Sequence, residues 1–257
     1  MLLTELTDGA REDALTREQA LPLEAVRELA LAAPVSLRAL DFLAPGDSVK
    51  VIAEVKRASP SRGDMAEIAD PAALAALYES AGASVISVLT EQRRFKGSLE
   101  DLRAVRAAVS IPVLRKDFIS TDYQVFEARA AGADLVLLIV AALDDALLRH
   151  LFGLISSLGM TALVEAHSAD EVRRAVDLGA ELIGVNARDL NTFELDRELF
   201  GQLAAEIPAG TVRIAESAVR SASDVDHYRR AGADAVLVGE ALVTSDPVVT
   251  LTSFLEI

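Results

Sequence analysis

Charged side chains of both signs stand at the ends of short apolar runs in this sequence. Glu54 and Lys56 end the first run, and Lys116, Glu165 and Glu216 follow later ones. Close lysine–glutamate neighbours and partial burial are expected to shift pKa values toward neutrality, which suits such residues to give and take protons. The residue types therefore indicate general acid–base chemistry at a site that these residues share.

The first run also carries a geometric signal. Alternate side chains of a strand share a face, so Glu54 and Lys56 point to one side and Val55 to the other. Two charges directed into a folded interior are costly unless they have a partner or a function. Asn186 and Arg188, which follow another apolar run, add an amide and a guanidinium to the candidate site.

Eight runs rich in Val, Ile and Leu are spaced along the chain from residue 51 to residue 238. They are residues 51–55, 84–89, 111–114, 135–140, 162–164, 182–185, 212–215 and 235–238. Several are apolar at consecutive positions, which is typical of parallel strands buried on both faces. Segments of helical period, such as 99–109, 144–158 and 169–177, lie between them. This alternation predicts repeated strand–helix–strand units.

Eight such units in 257 residues favour a closed barrel over an open sheet. The predicted fold is α/β, a (β/α)8 TIM barrel, which commonly needs about 250 residues, whereas a flavodoxin-like sheet has about five strands. Residues 1–257 are treated as one domain. Gly82, Gly132, Gly179 and Gly232 each stand between a helix and the next strand, where a left-handed glycine ends the helix. Catalytic groups of such barrels lie at the carboxyl ends of the strands, so the charged residues are expected on one rim.

Residues 1–49 differ in character and are predicted to form an N-terminal helical extension. Residues 15–33 read as one amphipathic helix that ends at Pro34, and a short second helix precedes Pro45. The extension is expected to pack on one end of the barrel.

Residues that could bind an anion follow the first, seventh and eighth apolar runs. Barrels often bind phosphate on the loops after strands seven and eight, through backbone N–H groups. Ser217 and Ala218 follow the seventh run, Gly239 and Glu240 follow the eighth, and Ser59 follows the first. These five are the predicted phosphate-binding residues.

Composition narrows the possible partners. The formal net charge of −15 repels nucleic acid and anionic membranes, so neither is an expected partner. The absence of cysteine excludes disulfides and thiolate catalysis, and fits a cytoplasmic location. His150, His167 and His227 show no metal-ligand spacing, so no metal is expected, and His167 is taken as a surface residue.

The residues that follow the runs resemble a known family. Residues 54–61 (EVKRASPS) resemble the signature of indole-3-glycerol phosphate synthases, and 183–190 (IGVNARDL) is an equally specific match. Other segments match in order: Thr90-Glu91 with residues 95–98 (FKGS), then 114–118 (LRKDF), 162–165 (ALVE) and 215–217 (AES). The resemblance begins near residue 15 and favours the single-function form of the family, with a monomer expected.

The resemblance implies a reaction of tryptophan biosynthesis. The substrate would be 1-(2-carboxyphenylamino)-1-deoxyribulose 5-phosphate, which closes onto its aromatic ring and loses carbon dioxide and water to give indole-3-glycerol phosphate. No cofactor is implied, because decarboxylation restores the aromaticity that the ring loses.

Roles carried over to matching positions are also implied by the resemblance. Lys116 would act as general acid at the ketone, Glu165 would take part in the dehydration as acid or base, and Lys56 would bind the substrate carboxylate. Lys56 is also a second candidate proton donor, so the assignment of each proton transfer stays open. Glu54 and Asn186 would orient the lysines and the reacting hydroxyl.

Substrate binding is assigned in the same way. Arg188 would hold the anionic substrate, and Glu216 and Ser217 would support the network. An apolar wall around the aromatic ring is expected from Phe95, Phe118, Leu137, Leu190 and Leu237, for each of which plain core packing is an equal alternative.

One position departs from the family pattern. The family usually has glycine after the Glu-Ser of the seventh strand, where this chain has Ala218. An alanine forced to positive φ would cost about 1 kcal/mol or more and could weaken phosphate binding.

Two alternative functions remain to be considered. A catalytically silent barrel that binds a phosphorylated ligand or a partner enzyme is favoured only by Ala218, and retention of Lys56, Lys116 and Glu165 argues against it. Phosphoribosylanthranilate isomerase, another phosphate-binding barrel, often uses a cysteine in its first strand, and this chain has none.

Overall fold

Eight parallel strands close into a barrel in the computed structural model, which describes residues 2–190 and 192–257. The strands are β1 (Lys50–Val55), β4 (Val85–Leu89), β5 (Val113–Lys116), β6 (Leu135–Ile139), β7 (Thr161–Ala166), β8 (Leu182–Asn186), β9 (Val212–Glu216) and β10 (Ala235–Val238). Each pairs with its neighbours in chain order, and β1 pairs with both β10 and β4. A small antiparallel pair, β2 (Ala58–Ser59) and β3 (Gly63–Asp64), follows β1. The barrel prediction is confirmed.

Helices connect the strands and cover the barrel. The N-terminal helices are α1 (Leu2–Ala20), α2 (Leu23–Ala32) and α3 (Leu40–Leu43). The later helices are α4 (Pro71–Ser80), α5 (Leu99–Ala108), α6 (Asp122–Ala130), α7 (Asp145–Ser157), α8 (Ala169–Leu178), α9 (Leu199–Leu203), α10 (Ala222–Arg230), α11 (Glu240–Val243) and α12 (Pro247–Leu255). No helix of the described residues is long and apolar enough to cross a membrane.

The side chains of each strand alternate between two apolar cores. Inward residues such as Leu114, Leu163 and Leu182 fill the barrel, whereas outward residues such as Val136 and Val236 pack under the helices. All five are fully buried. Both faces of each strand are therefore apolar, which explains why the strands read as continuous apolar runs.

Local signals set the ends of the helices. Asp70, Ser98, Thr121 and Ser168 each accept a hydrogen bond from the first turn of the helix that follows, as N-cap residues do. The four glycines singled out in the sequence all adopt positive φ, between 81° and 102°. The predicted role of these glycines is confirmed.

The third barrel strand lies two residues further along the chain than predicted. Residues 111–114 read as the strand, but β5 spans Val113–Lys116. Pro112 has no N–H to give to a sheet, so it stands before the strand, and only its carbonyl is used, by the N–H of Ile86. The shift makes Lys116 the last residue of the strand rather than a loop residue.

The prediction of one helix over residues 15–33 is wrong. Helix α1 begins at Leu2 and ends at Ala20, and α2 starts after Pro22. Proline cannot donate the helical hydrogen bond inside a helix, so the chain breaks there and restarts with Pro22 at the N-cap.

The extension contacts both ends of the barrel, not one end as expected. At the rim, Arg93, which follows β4, pairs with Asp13 of α1 at 2.7 Å. At the opposite end, the N–H of Leu37 donates to Asp134, the residue before β6, at 2.7 Å. Helix α2 packs against α6 through Val26 and Phe126. Residues 2–43 therefore run along the barrel from the rim to its base.

Candidate active site

A cavity of about 1110 Å³, counted to its open mouth, lies at the carboxyl ends of the strands. Every residue predicted for the site lines this cavity: Glu54, Lys56, Ser59, Phe95, Lys116, Glu165, Asn186, Arg188, Leu190, Glu216, Ser217, Ala218, Leu237, Gly239 and Glu240. They come from seven strand ends and the loops that follow, so the fold brings together residues up to 186 positions apart (240 − 54).

Four charged side chains form one layer across the barrel. Glu54, Lys116, Glu165 and Glu216 come from β1, β5, β7 and β9, which are alternate strands of the closed sheet. Alternate strands supply the side chains of each layer in such barrels. Each follows an apolar inward residue by two positions, so the period of the strand directs it inward. The three carboxylates are no more than 2% exposed.

Lys116 occupies the centre of this layer. Its Nζ lies 3.1 Å from Glu165 Oε2 and 2.9 Å from Glu216 Oε2, so one ammonium bridges two carboxyl groups. Burial alone would lower the pKa of Lys116, but the charges of Glu165, Glu216 and Glu54 outweigh it and raise the pKa well above its usual range. The side chain is therefore an ammonium that donates to both glutamates.

The two glutamates respond in opposite directions. Burial disfavours the ionised form of Glu165, but the charges of Lys116 and His167 outweigh it and lower the pKa to about 2. Burial raises the pKa of Glu216 to about 8, with Glu165 adding to the rise and Lys116 opposing it. The expected shift toward neutrality is thus found only for Glu216, where burial causes it and Lys116 opposes it. The pair separates into one carboxylate and one carboxylic acid at neutral pH, which are a base and an acid.

Two glycines leave room for these charged groups. Gly184 lies inward on β8, and a Cβ there would clash with Oε1 of Glu216. A Cβ on Gly239 would meet Oε2 of Glu54 and come within 3.1 Å of Lys56 Nζ. Glycine at these positions lets a charged side chain approach the backbone of the neighbouring strand.

Lys56 and Glu54 form a second ion pair beside the first group. Lys56 Nζ lies 2.7 Å from Glu54 Oε2, and the lysine remains 19% exposed at the cavity wall. The other oxygen of Glu54 is buried and has no hydrogen-bond partner among the described residues. Lys56 thus keeps part of its ammonium for an anion in the cavity.

Asn186 organises the neighbouring strand end. Its Oδ1 accepts from the hydroxyl of Ser217 at 2.8 Å and from the N–H of Arg188 at 3.0 Å. Both bonds use the amide oxygen, which leaves the amide nitrogen to face other partners. One side chain therefore joins β8 to the loop after β9.

The loop after β9 is strained where the family pattern has glycine. Ser217 and Ala218 have φ values of 69° and 55°, so both occupy the left-handed region. Such a backbone disfavours a Cβ, which agrees with the reason given for glycine at this position. Within the described part of the chain, the N–H groups of Ala218, Gly239 and Glu240 have no acceptor. These donors line the cavity at the predicted phosphate site.

Arginines gather at the same end of the cavity, and two of them were not foreseen. Arg62, from the β2–β3 turn, pairs with Glu240, and Arg220 follows Ala218 by two residues. Burial lowers the pKa of Arg188, and the positive charges of Arg220 and Arg62 add to this effect while Glu240 opposes it. Three cations thus crowd together, and Glu240 is neutralised by Arg62 rather than left facing an anion. Arginines after the first and seventh barrel strands were the signal in the sequence that could have identified this cluster.

The other wall of the cavity is apolar. Phe95, Phe118, Leu137, Leu190 and Leu237 all line it, and the Phe95 and Phe118 rings lie 6.1 Å apart. Leu6 of α1 and Phe193, after β8, complete the wall and were not predicted. Leu6 carries no local signal in the sequence, because only the path of α1 over the rim brings it to the cavity.

Hydrogen bonds to Glu91 hold the loop that carries Phe95. Its carboxylate accepts from the backbone N–H groups of Arg93, Arg94 and Phe95 at 3.0, 2.7 and 2.9 Å. Glu91 is 3% exposed, so the loop folds around a buried carboxylate. This explains physically why Thr90-Glu91 and Phe95 occur together in the sequence.

A buried arginine supports the strand that carries Lys116. Arg115 is fully buried and donates to Thr90, Asp117 and the backbone oxygen of Gln124 at 3.1, 3.0 and 2.7 Å. It also lies 3.5 Å from Glu127 of α6, which Arg17 of α1 contacts in turn. This chain of ion pairs links α1 and α6 to the end of β5.

The surface assignment of His167 is wrong. The side chain is 13% exposed, and its Nε2 lies 3.4 Å from Glu165 Oε1. Glu165 lies on β7 and His167 follows the strand, two residues later, so the two side chains share one side of the strand. This spacing is the sequence signal that indicates a buried position for His167. His150, by contrast, lies in α7 and pairs with Asp122 at the surface.

Comparison with known proteins agrees with this geometry. The family model of indole-3-glycerol phosphate synthase matches residues 3–253. The chain belongs to that family. It is 70% identical over 253 residues to the indole-3-glycerol phosphate synthase of Leifsonia xyli subsp. xyli, covering 98% of this chain and 97% of the relative. The synthase of Beutenbergia cavernae is 60% identical, over 95% of this chain and 90% of its own length.

Solved structures outside the synthase family share the fold. The N-acetylmannosamine-6-phosphate 2-epimerase of Clostridium perfringens superposes with a TM-score of 0.62 at 15% identity. The match covers 81% of this chain and 91% of the epimerase. At this identity the likeness concerns the barrel alone, and the assignment to the synthase family rests on the closer relatives.

Proposed function

We propose that this protein is an indole-3-glycerol phosphate synthase, a carboxy-lyase of tryptophan biosynthesis. It converts 1-(2-carboxyphenylamino)-1-deoxyribulose 5-phosphate to indole-3-glycerol phosphate, carbon dioxide and water. Besides the family assignment, the observation that carries the proposal is Lys116, an ammonium fixed between two buried carboxyl groups on the cavity floor. An acid held in this way suits the activation of a ketone.

The cavity offers a place for each part of this substrate. The phosphate fits the cationic end, with Arg188 and the free N–H groups of Ala218 and Gly239, where Ser59 and Ser217 add hydroxyl groups. The aromatic ring fits the apolar wall of Phe95, Leu190 and Leu237. The chain of the sugar then spans the floor, which brings its ketone to Lys116. The substrate carboxylate lies within reach of Lys56.

Ring closure needs a strong electrophile, because the ring carbon that bears the carboxylate loses aromaticity as it attacks the ketone. Lys116 gives its proton to the ketone oxygen as the bond forms. Glu165 and Glu216 hold the ammonium in place so that one of its protons points at that oxygen. Carbon dioxide then leaves, and its bonding electrons restore the aromatic ring.

Dehydration follows at the same charged residues on the floor of the cavity. The new hydroxyl leaves as water when Lys116 protonates it, and Glu165 removes the proton from the adjacent ring carbon to complete the indole. Glu165 is suited to this because its pKa, lowered to about 2 by Lys116 and His167 against the effect of burial, keeps it ionised. Glu54 and Asn186 hold Lys56 and Ser217 in place, so they act on the substrate through these neighbours.

The finer properties that accompany this function are proposals of the same kind. We take residues 1–257 as one domain that acts as a monomer in the cytoplasm. Light scattering of the purified protein tests the monomer, with a mass of about 27.3 kDa expected.

The test of the function is turnover of the carboxyphenylamino-deoxyribulose phosphate without added metal, followed by indole fluorescence. Lys116→Ala is expected to lose at least about 100-fold in kcat, the scale of a direct acid–base group. Ser36→Ala, at the far end of the barrel, is the matched control and should retain full activity. A wild-type protein that binds a phosphorylated anthranilate analogue tightly but forms no product would refute the proposal and favour a silent barrel.

A further inference from the structure

The proposed reaction consumes one proton in each turnover. The ketone oxygen takes a proton from Lys116, and the substrate carboxylate leaves as neutral carbon dioxide. The later loss of water needs one proton at the hydroxyl and releases one from the ring carbon, so it has no net demand. Lys116 must therefore regain a proton after ring closure if it is to protonate the hydroxyl before the product leaves.

The immediate neighbours of Lys116 have little contact with solvent. Glu165 and Glu216 are 2% and 1% exposed, and Lys116 itself is 16% exposed toward the cavity that the substrate would fill. A proton that arrives while the substrate is bound needs another route. Glu165 offers such a route through Oε1, the oxygen that does not contact Lys116.

His167 faces that oxygen. Its Nε2 lies 3.4 Å from Glu165 Oε1, and among the described residues this buried nitrogen has no hydrogen-bond partner. On the other side of the ring, Nδ1 lies 3.3 Å from Glu171 Oε2. The imidazole thus stands between one deeply buried carboxylate and one that is 18% exposed.

Glu171 is itself fixed in position. It lies in the first turn of α8, and its carboxylate accepts from the N–H of His167 at 2.8 Å and from the hydroxyl of Ser168 at 3.2 Å. A carboxylate held in this way fixes the Nδ1–H tautomer and the orientation of the ring. The remaining nitrogen then points at Glu165.

The charges around the ring favour its protonated form. They are Glu165 on β7 and Glu171 on α8, and Glu216 on β9 adds to their effect when it is ionised. Burial alone would lower the pKa of His167, but the hydrogen bond to Glu171 and the charge of Glu165 outweigh it and raise the pKa above its ordinary value. The ring is therefore an imidazolium over part of the neutral range.

We propose that His167 stores the proton that restores Lys116 within each turnover. The Nε2 proton moves to Glu165 and leaves a neutral imidazole whose Nδ1–H stays on Glu171, and the Glu165 proton moves to the Lys116 amine. Solvent recharges the imidazole after the product leaves. Since His167 acts through Glu165 and does not touch the substrate, it is a positioning residue. The inference rests on the proposed function.

The test separates decarboxylation from indole formation in one turnover. Enzyme in excess is mixed with substrate that carries ¹⁴C in its carboxylate, and the release of ¹⁴CO₂ is timed against indole fluorescence from pH 6 to pH 9. His167→Gln keeps a polar group beside Glu165 but has no proton to store. We expect ¹⁴CO₂ release within threefold of wild type and indole formation about tenfold slower, below the roughly 100-fold of a direct acid–base group.

Two further variants sharpen the result. Glu171→Gln removes the charge that holds the imidazolium, so the loss of wild-type indole formation at high pH should shift to lower pH. His150→Gln, an exposed histidine paired with Asp122, is the matched control and should leave both rates unchanged.

The possible results distinguish failure of the inference from failure of the proposed function. An indole rate of His167→Gln within twofold of wild type, or an equal slowing of both steps, would overturn the inference, since the side chain would then be dispensable or merely structural. Wild-type protein that forms no indole would overturn the proposed function and this inference with it. An unchanged melting temperature of each variant confirms that its fold is intact.

Discussion

Replacing Ala218 by glycine should stabilise this protein. Ala218 has a φ of 55°, where an L-residue with a Cβ is disfavoured by about 1–2 kcal/mol. Glycine has no such penalty but loses about 0.5–1 kcal/mol more conformational entropy on folding. At the midpoints of these two ranges, the net gain in the free energy of unfolding is about 0.75 kcal/mol. For a chain of this length that is a rise in Tm of about 2 °C.

Differential scanning calorimetry measures this shift directly. Ala73→Gly is the control, because Ala73 is an exposed residue of α4 with helical backbone, where glycine should lower the free energy of unfolding by about 1 kcal/mol. The two substitutions are chemically identical and should move Tm in opposite directions. A Tm for Ala218→Gly at or below that of wild type would refute the argument from backbone strain. We also expect a lower KM, since removing the methyl group frees space at the phosphate site.

Three further predictions concern the floor of the cavity. Gly184→Ala places a Cβ on Oε1 of Glu216, so kcat should fall by about tenfold or more, measured by indole fluorescence, while an unchanged rate would show that the carboxylate moves aside freely. Burial raises the pKa of Glu216 to about 8, so its neutral form is present below that pH and is lost as pH rises through it. The activity should therefore fall on the alkaline side near pH 8, and Glu216→Gln should flatten that part of the pH profile. Arg115→Met leaves Asp117 buried without its charged partner, with only Thr90 and the N–H of Phe118 still donating to it. This should lower Tm by roughly 10 °C, and a shift of less than 2 °C in calorimetry would contradict it.

The strands of the barrel could be predicted because both of their faces are buried. A run such as residues 182–185 has no polar face to interrupt it, so its apolar stretch coincides with β8 almost residue for residue. The polar residue after each run then marks the rim, which is why the acid–base layer was found from sequence. Pro112 misled the prediction of β5, because an apolar residue before a proline continues the run without joining the sheet.

The residues that sequence reasoning missed reach the site over long distances. Leu6 arrives from α1, and Arg62 and Arg220 meet Arg188 only because loops after different strands bend over one cavity. Pro22 marks the break between α1 and α2, but the amphipathic pattern continues on both sides of it and so predicts one helix. The lack of a second histidine near His167 favours a surface position, whereas its spacing of two residues from Glu165 correctly places both side chains on one side of the strand.

The layer of charges taken from alternate strands separates chemistry from specificity. Glu54, Lys116, Glu165 and Glu216 occupy one set of strands, whereas the intervening strands supply apolar residues of the cavity wall, such as Leu137 on β6 and Leu237 on β10. The two sets interleave around the barrel but are different segments of the chain. A new substrate could therefore be accommodated by exchanging residues of the intervening strands and their loops while the proton-transfer groups stay in place, which makes this barrel a suitable starting point for altered carboxy-lyases.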